Sequence, residues 1–252
     1  MFTWVILTSY DFRSGGQPMA HPANQPYPAA KQTIAARIEA RVRQDILHGR
    51  LAPGEKLNLD RLRDQHGVGL SPLREAMNRL VATGLVEAEA MKGYTVTPIS
   101  VANLDEVAAL RIELEPYALR RAIANGGLEW EGEVMGALHR LNRTLRVPGD
   151  AGSLTAWEAA NNAFHEALIA RCDMPLLMKM YHQLVALNDR YRLIYLKATA
   201  IQREVIDEHT AIAQAAVERR ADEACALLTG HITRSTDNLR RLIVASLPET
   251  PQ

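Results

Sequence analysis

Apolar positions recur at helical spacing along most of the chain, and a single stretch departs from that rhythm. Ile34, Ile38, Val42 and Ile46 form a stripe that predicts a helix from Ile34 to Leu47, with Arg37, Arg41 and Arg43 lying off it. His48-Gly49-Arg50 ends this helix. Pro53-Gly54 is a turn signal, and Leu59 to His66 reads as a short second helix. Gly67-Val68-Gly69 breaks it. Ser71-Pro72 then opens a third helix, with a capping hydroxyl and proline at the first helical position. Leu73, Met77, Leu80 and Val81 make the apolar face of that helix, while Ser71, Arg74, Glu75 and Asn78 share the opposite one. Two short apolar runs follow, Leu85-Val86 and Tyr94-Thr95-Val96, joined by Met91-Lys92-Gly93, and these read as a hairpin.

From Ile99 onward the pattern is helical throughout. Val101 to Ala124 predicts a long helix with Leu104, Val107, Leu110, Leu114 and Leu119 inward, stopped by Asn125-Gly126-Gly127. Leu128–Val147, Leu154–Arg171, Met174–Leu196, Ala200–Arg219 and Ala221–Ser246 complete six. The expected fold class is mainly α, an N-terminal winged helix-turn-helix domain followed by an all-α antiparallel helical bundle. The expected divisions are a disordered leader over 1–30, the winged domain over 31–98, the bundle over 99–247 and a tail over 248–252.

A helix, a glycine-containing turn and a second helix with polar residues near its start form the pattern whose second helix enters the DNA major groove. Ser71, Arg74 and Asn78 are therefore the candidate DNA contacts, joined by Lys92 and Gly93 at the tip of the hairpin. The competing reading is an ordinary helical hairpin with a solvated polar face. Charge changes this picture little. The 252 residues carry 29 basic and 29 acidic side chains, yet Lys31 to Lys92 holds eleven Lys/Arg against eight Asp/Glu. Cys172 and Cys225 are too few for a disulfide framework and read as buried thiols in a reducing cytoplasm. Phe2 to Leu7 is far too short to span a bilayer, so no membrane partner is expected. Residues 8–30 are rich in Ser, Gly, Pro, Asn and Gln, a composition that resists ordering, and Met19 offers an alternative start.

A second constellation lies in the helical region. Asn161 and His165 are one turn apart on the third of its helices, His209 stands in the fifth and His231 in the sixth. Three imidazoles and one oxygen donor from facing helices can close on a divalent transition metal, Zn, Ni, Mn or Fe. Structural histidines are the alternative, and His21, His48, His66, His139 and His182 are read that way.

The segments DILHGRLAPGEKL and LSPLREAMNRLVATGLVEAEAMKGYTV resemble the DNA-binding domain of the GntR family of bacterial transcriptional regulators over about residues 32 to 100. This chain departs from the family in two places. Gly69-Leu70 stands where relatives usually carry Ser-Arg, and Leu59 starts a helix often begun by an acidic residue. Ile99 to Ser246 is similar to the FCD effector domain of the FadR-type subfamily. Its metal-binding members carry D-x-x-F-H and two further histidine segments, matched here by NNAFH, DEHTAIAQA and ACALLTGH. The resemblance implies a metal held by Asn161, His165, His209 and His231, with Asn161 replacing the usual Asp.

It also implies that Arg111, followed by Glu115 in ALRIELEPY, points at an effector pocket. A plain Arg–Glu helix pair is the competing reading. Asn188, Arg190, Tyr191, Arg192 and Tyr195 crowd one helix, of which Arg190 and Tyr191 are the expected effector contacts. The implied whole is a homodimeric repressor on double-stranded, pseudo-palindromic operator DNA, controlled by a small carboxylate effector. Two other classes stay open. One is a metal-dependent hydrolase-type enzyme, against which stand the lack of an H-E-x-x-H motif and a Glu166 off the ligand face. The other is a DNA-architectural protein with a purely structural helical domain.

Overall fold

The computed structural model describes residues 33–89, 92–200 and 203–246. The leader and the tail, together with Met91 of the hairpin tip, lie outside them. Helix α1 (Ile34–Leu47) is capped by Thr33, whose hydroxyl accepts from Ala36 N at 3.2 Å. Asn58 caps α2 (Leu59–His66) in the same way, accepting from Arg61 N, and Gly67 ends it at φ +62°, a conformation glycine takes without strain. The third helix corrects the sequence reading. It runs from Leu70 to Ala82, its N-cap is Gly69, and no side chain caps it. Ser71 and Pro72 therefore sit inside its first turn, where a missing amide hydrogen costs nothing.

A strand absent from the sequence reading completes the head. Lys56–Leu57 (β1) pairs antiparallel with β3 (Gly93–Val96), which pairs on its other side with β2 (Val86–Glu89), giving the order β1-β3-β2. Two residues are too few to show alternation, so only the pairing reveals β1. Leu73, Ala76, Met77 and Leu80 of α3 pack with Ile38, Val42 and Ile46 of α1 and with Leu62, Leu85 and Val96.

Six helices follow: α4 (Val101–Asn125), α5 (Leu128–Arg143), α6 (Ala151–Ile169), α7 (Pro175–Tyr195), α8 (Arg203–Val217) and α9 (Ala221–Ser246). Helix α4 lies along α7 and α9, α8 along α9, and α5 against α6 and α8. Their core includes Leu119, Trp130, Phe164, Leu168, Ile212 and Leu228. Two expectations fail locally. Helix α5 stops at Arg143, and Leu145 and Val147 are 79% and 51% exposed in the segment before Pro148. Leu110, expected inward, is 45% exposed. The buried stripe of α4 instead runs through Leu104, Val107, Ala108, Arg111 and Glu115, because an ion pair occupies the face that the apolar count assigned to leucine.

The head rests on α7. Arg190 donates to Thr97 O at 2.9 Å and, more weakly, to Asn103 Oδ1 at 3.4 Å, while Tyr191 OH reaches Ser100 O and Asn103 Oδ1 at 3.1 and 2.9 Å. Gln183 donates to Ala82 O, and a Cβ added at Gly84, which sits at φ +72°, would lie 3.2 Å from Leu187 Cδ2. His48, at the end of α1, meets Thr155 of α6 at 2.9 Å.

Candidate functional site

Helix α3 presents Ser71, Arg74 and Asn78 to solvent. Among the described residues Arg74 makes no ion pair, whereas Arg79 on the same helix is held by Glu75 at 2.6 Å and Glu39 at 3.6 Å. Asn78 Oδ1 accepts from Tyr94 OH at 3.0 Å, which ties the recognition edge to strand β3. Lys92 pairs with Glu89 at 2.6 Å on an exposed surface, a bond worth little in water, so its charge remains available to phosphate. Gly93 follows at φ +89°.

The second site is built from α6, α8 and α9. His165, His209 and His231 are 4%, 1% and 7% exposed, and their candidate ligand atoms lie within 4.8 Å of one another. Asn161, one turn before His165 on α6, is also buried. Three atoms of this group, Asn161 Oδ1, His165 Nδ1 and His209 Nε2, are buried without a hydrogen-bond partner. Such orphaned polar atoms are costly unless something satisfies them. His231 differs. Its Nδ1 meets Glu208 Oε2 at 2.7 Å, and Glu208 also accepts from Arg234 Nε at 2.5 Å.

All three imidazoles are pushed below their usual range, first by burial. His165 is lowered further by the other two histidines and by Arg111 and Arg192, and His209 by His231 and Arg192. Glu208 partly opposes the shift of His231. Neutral imidazole is the form that donates to a metal. Phe164 and Trp157 wall the cluster, with ring centroids 5.2 and 6.4 Å from that of His209.

Two buried ion pairs flank the histidines. Arg111 Nε meets Glu115 at 2.5 Å, and Arg192 grips Glu158 with two bonds of 2.6 and 3.1 Å while donating to Ser235 Oγ at 2.8 Å. Arg111 lines an ion-sized cavity of about 10 Å³ together with Asn161, His165, Tyr181, Asn188 and Arg192. His231, Arg192 and Ser235 also line a larger cleft of about 390 Å³, which opens past Trp157, Arg146 and Glu208.

Arg111 thus does both things the sequence left open: it pairs with Glu115 and lines the cavity. Arg190 and Tyr191 do not line it. They turn to the 97–103 segment, and the α7 residues that reach the cavity are Tyr181, Val185, Asn188 and Arg192, spaced three or four apart on one helical face. The i,i+4 spacing of Asn188 and Arg192 was visible in the sequence, but nothing local fixed which face turned inward. Glu158 carries no motif of its own, whereas Glu208 stands beside His209 in DEHTAIAQA, a segment from which only the histidine is read as a ligand. Glu166, as expected, faces away and meets His182 at 3.1 Å.

A three-helix head with a wing and an open recognition edge defines a winged helix-turn-helix DNA-binding protein. Comparison with known proteins makes that specific. Residues 34–96 match the description "Bacterial regulatory proteins, gntR family" and residues 106–234 match "FCD domain". The HTH-type transcriptional regulator BphR of Paraburkholderia xenovorans (strain LB400) is 36% identical over 231 residues, covering 90% of this chain and 93% of that protein. The HTH-type transcriptional repressor GlaR of Escherichia coli (strain K12) is 33% identical over 195 residues, covering 76% and 89%. Among solved structures, E. coli McbR/YncC shares the fold with a TM-score of 0.69 at 23% identity, covering 84% of this chain and all of that one. The chain belongs to the GntR family of bacterial regulatory proteins, with an FCD domain behind its DNA-binding head, and is a DNA-binding transcriptional regulator. No helix among the described residues is long and apolar enough to cross a membrane.

Proposed function

We propose that this regulator is a homodimeric repressor whose grip on a pseudo-palindromic operator is released by a small organic acid bound at a metal in the FCD domain. The observation that carries the reading is the convergence of three buried imidazoles, with Asn161 Oδ1, His165 Nδ1 and His209 Nε2 left without a hydrogen-bond partner. The donor set fits a divalent transition ion: imidazole suits zinc, nickel, manganese or iron, and Asn161 adds a neutral oxygen one turn from His165. Glu208 supplies the outer carboxylate that orients His231 through Nδ1, as metal-bound histidines generally require. Such an ion would supply a Lewis-acid position for a ligand carboxylate.

The protein's own residues do the rest. Arg111, Asn188 and Arg192 surround the ion-sized cavity with hydrogen-bond donors, and the rings of Phe164 and Trp157 pack beside His209. On the DNA side Arg74 is the base-reading candidate, since arginine to guanine is the commonest specific contact, with Ser71 and Asn78 beside it. Lys92 and Gly93 form the wing contact to the backbone. Two-fold symmetry of the protein calls for two half-sites. Helix α7 supports the coupling of the two sites, because Asn188 and Arg192 face the cavity while Arg190 and Tyr191 hold the linker to the head.

The test is metal analysis of the purified protein, joined to operator binding with and without carboxylic acids. Bound transition metal and release by an acid are the expected results. In His209→Ala, metal content and acid response should fall together. Full metal retention in that variant would refute the site.

A further inference from the structure

Beside the histidine cluster, one wall of the 390 Å³ cleft carries a charge imbalance. Two guanidinium groups flank the indole of Trp157, Arg146 at 5.5 Å and Arg192 at 5.8 Å from the ring centroid. Arg192 has its carboxylate, Glu158. Among the described residues Arg146 has none within ion-pair distance. Its Nη2 donates to Leu196 O at 2.7 Å and to Thr199 Oγ1 at 2.5 Å, both neutral acceptors.

The segment bearing Arg146 is fixed in place. Gly149 N donates to Lys197 O at 2.8 Å, and Ser153 Oγ accepts from Val147 N at 2.9 Å. Arg146 is therefore a half-buried cation held on an aromatic floor by bonds that leave part of its donor fork unused. Burial opposes its charge most, Glu158 favours it from beyond ion-pair distance, and the neighbouring Arg192 opposes it. Of the other acids of the cleft, Glu208 holds His231 and Arg234 and Asp237 holds Arg240, while Glu204 makes no ion pair with Arg146 among the described residues. A desolvated guanidinium without a counter-ion calls for one, and a carboxylate matches its fork.

Resting on the metal- and acid-binding reading above, we propose that Arg146 forms a second anion subsite, so that the ligand of this cleft is a dicarboxylate, with one carboxylate at the histidine cluster and the other at Arg146. His231 and Arg146 line the same cleft, and its volume is that of a small-molecule pocket. Trp157 lies beneath the ligand's carbon chain, an apolar surface between two charged ends. Thr199 and Leu196 set the position of Arg146, and so the preferred chain length.

The experiment uses the metal-loaded full chain and two matched series of straight-chain acids with two to six carbons, mono- and dicarboxylic, titrated by calorimetry and thermal shift. Wild-type protein should bind one or two lengths of dicarboxylate at least tenfold more tightly than the monocarboxylate of equal length. Arg146→Gln keeps a neutral amide donor and removes the charge. It should reduce dicarboxylate affinity to the monocarboxylate level, with metal content and monocarboxylate affinity unchanged. Arg146→Lys should recover part of the preference. If Arg146→Gln binds dicarboxylates as wild type does, or if wild type does not separate the two series, the subsite is wrong and the metal reading stands. If neither series binds the metal-loaded wild type, the effector reading falls and takes the subsite with it.

Discussion

Single side chains decide what each end of this regulator recognises. Arg74 stands on the open edge of α3 without an ion pair among the described residues, so its charge and its fork are free to meet a base. Replacing it with alanine should cost about 1–3 kcal/mol of operator affinity and relax specificity at one position. Fluorescence anisotropy against operator and scrambled DNA measures both, and unaltered specificity would remove Arg74 from the interface. Asp189 invites a different test. Burial, then the nearby Glu158, raise its carboxyl to about 6 despite the hydrogen bond from Asn162, and its Oδ1 is buried without a partner. Unfolded, the same group ionises near about 3.9. Between these values the folded chain binds the extra proton, so this residue's contribution to stability falls as pH rises from about 4 to about 6. In metal-free protein Asp189→Asn should therefore raise stability by on the order of 1 kcal/mol at pH 7.5 and by nothing at pH 4. Urea unfolding at the two pH values checks it, and an equal effect at both would show that the carboxyl is not held protonated.

At the scale of elements, α7 is where the two halves meet. Tyr191→Phe removes the bonds to Ser100 O and Asn103 Oδ1 without changing the apolar packing of the ring. It should cost about 1 kcal/mol and speed hydrogen exchange across residues 97–103, while leaving metal content alone. A loss of metal in this variant would mean that α7 does not separate its two faces. The same helix shows how far sequence carries. The elements themselves were legible because caps, glycines and helical spacing are local, and the three histidines were legible because their spacing within each helix matched a family pattern. The inward face of α7 was not. Its charged and aromatic residues lie all around the helix, so apolar periodicity gives no direction, and Arg190 and Tyr191 meet the 97–103 segment instead of lining the cavity. Strand β1 was lost for a related reason: two residues have no period. Leu110 was placed inward because a buried Arg–Glu pair looks polar to any count of apolar positions.

The whole molecule has no net formal charge, 29 basic against 29 acidic groups. General attraction to nucleic acid is therefore weak, and affinity has to come from the few basic groups of the head. Operator binding should show a salt dependence that Lys92→Ala makes shallower by about one unit of log–log slope, since one phosphate contact is lost. An unchanged slope would take the wing off the backbone. Metal removal acts at the same scale. An ion that binds only the folded chain stabilises it by mass action, so chelation should lower Tm, and re-addition of the ion should restore it.

Helix α7 also has a bearing on how such regulators diversify. Residues 188 and 192 serve the cavity and residues 190 and 191 serve the head, so the two sets are separated only by rotation about one axis. On the function proposed above, substitution at Asn188 or Arg192 retunes which molecule is sensed without touching the hold on the linker. Insertion of one residue before Asn188 turns everything after it by about 100° and moves both sets off their partners at a stroke. Point changes along α7 are then the open route to new signals, while length changes are closed. Descendants of this protein should vary at the cavity positions of that helix and hardly at all in its count.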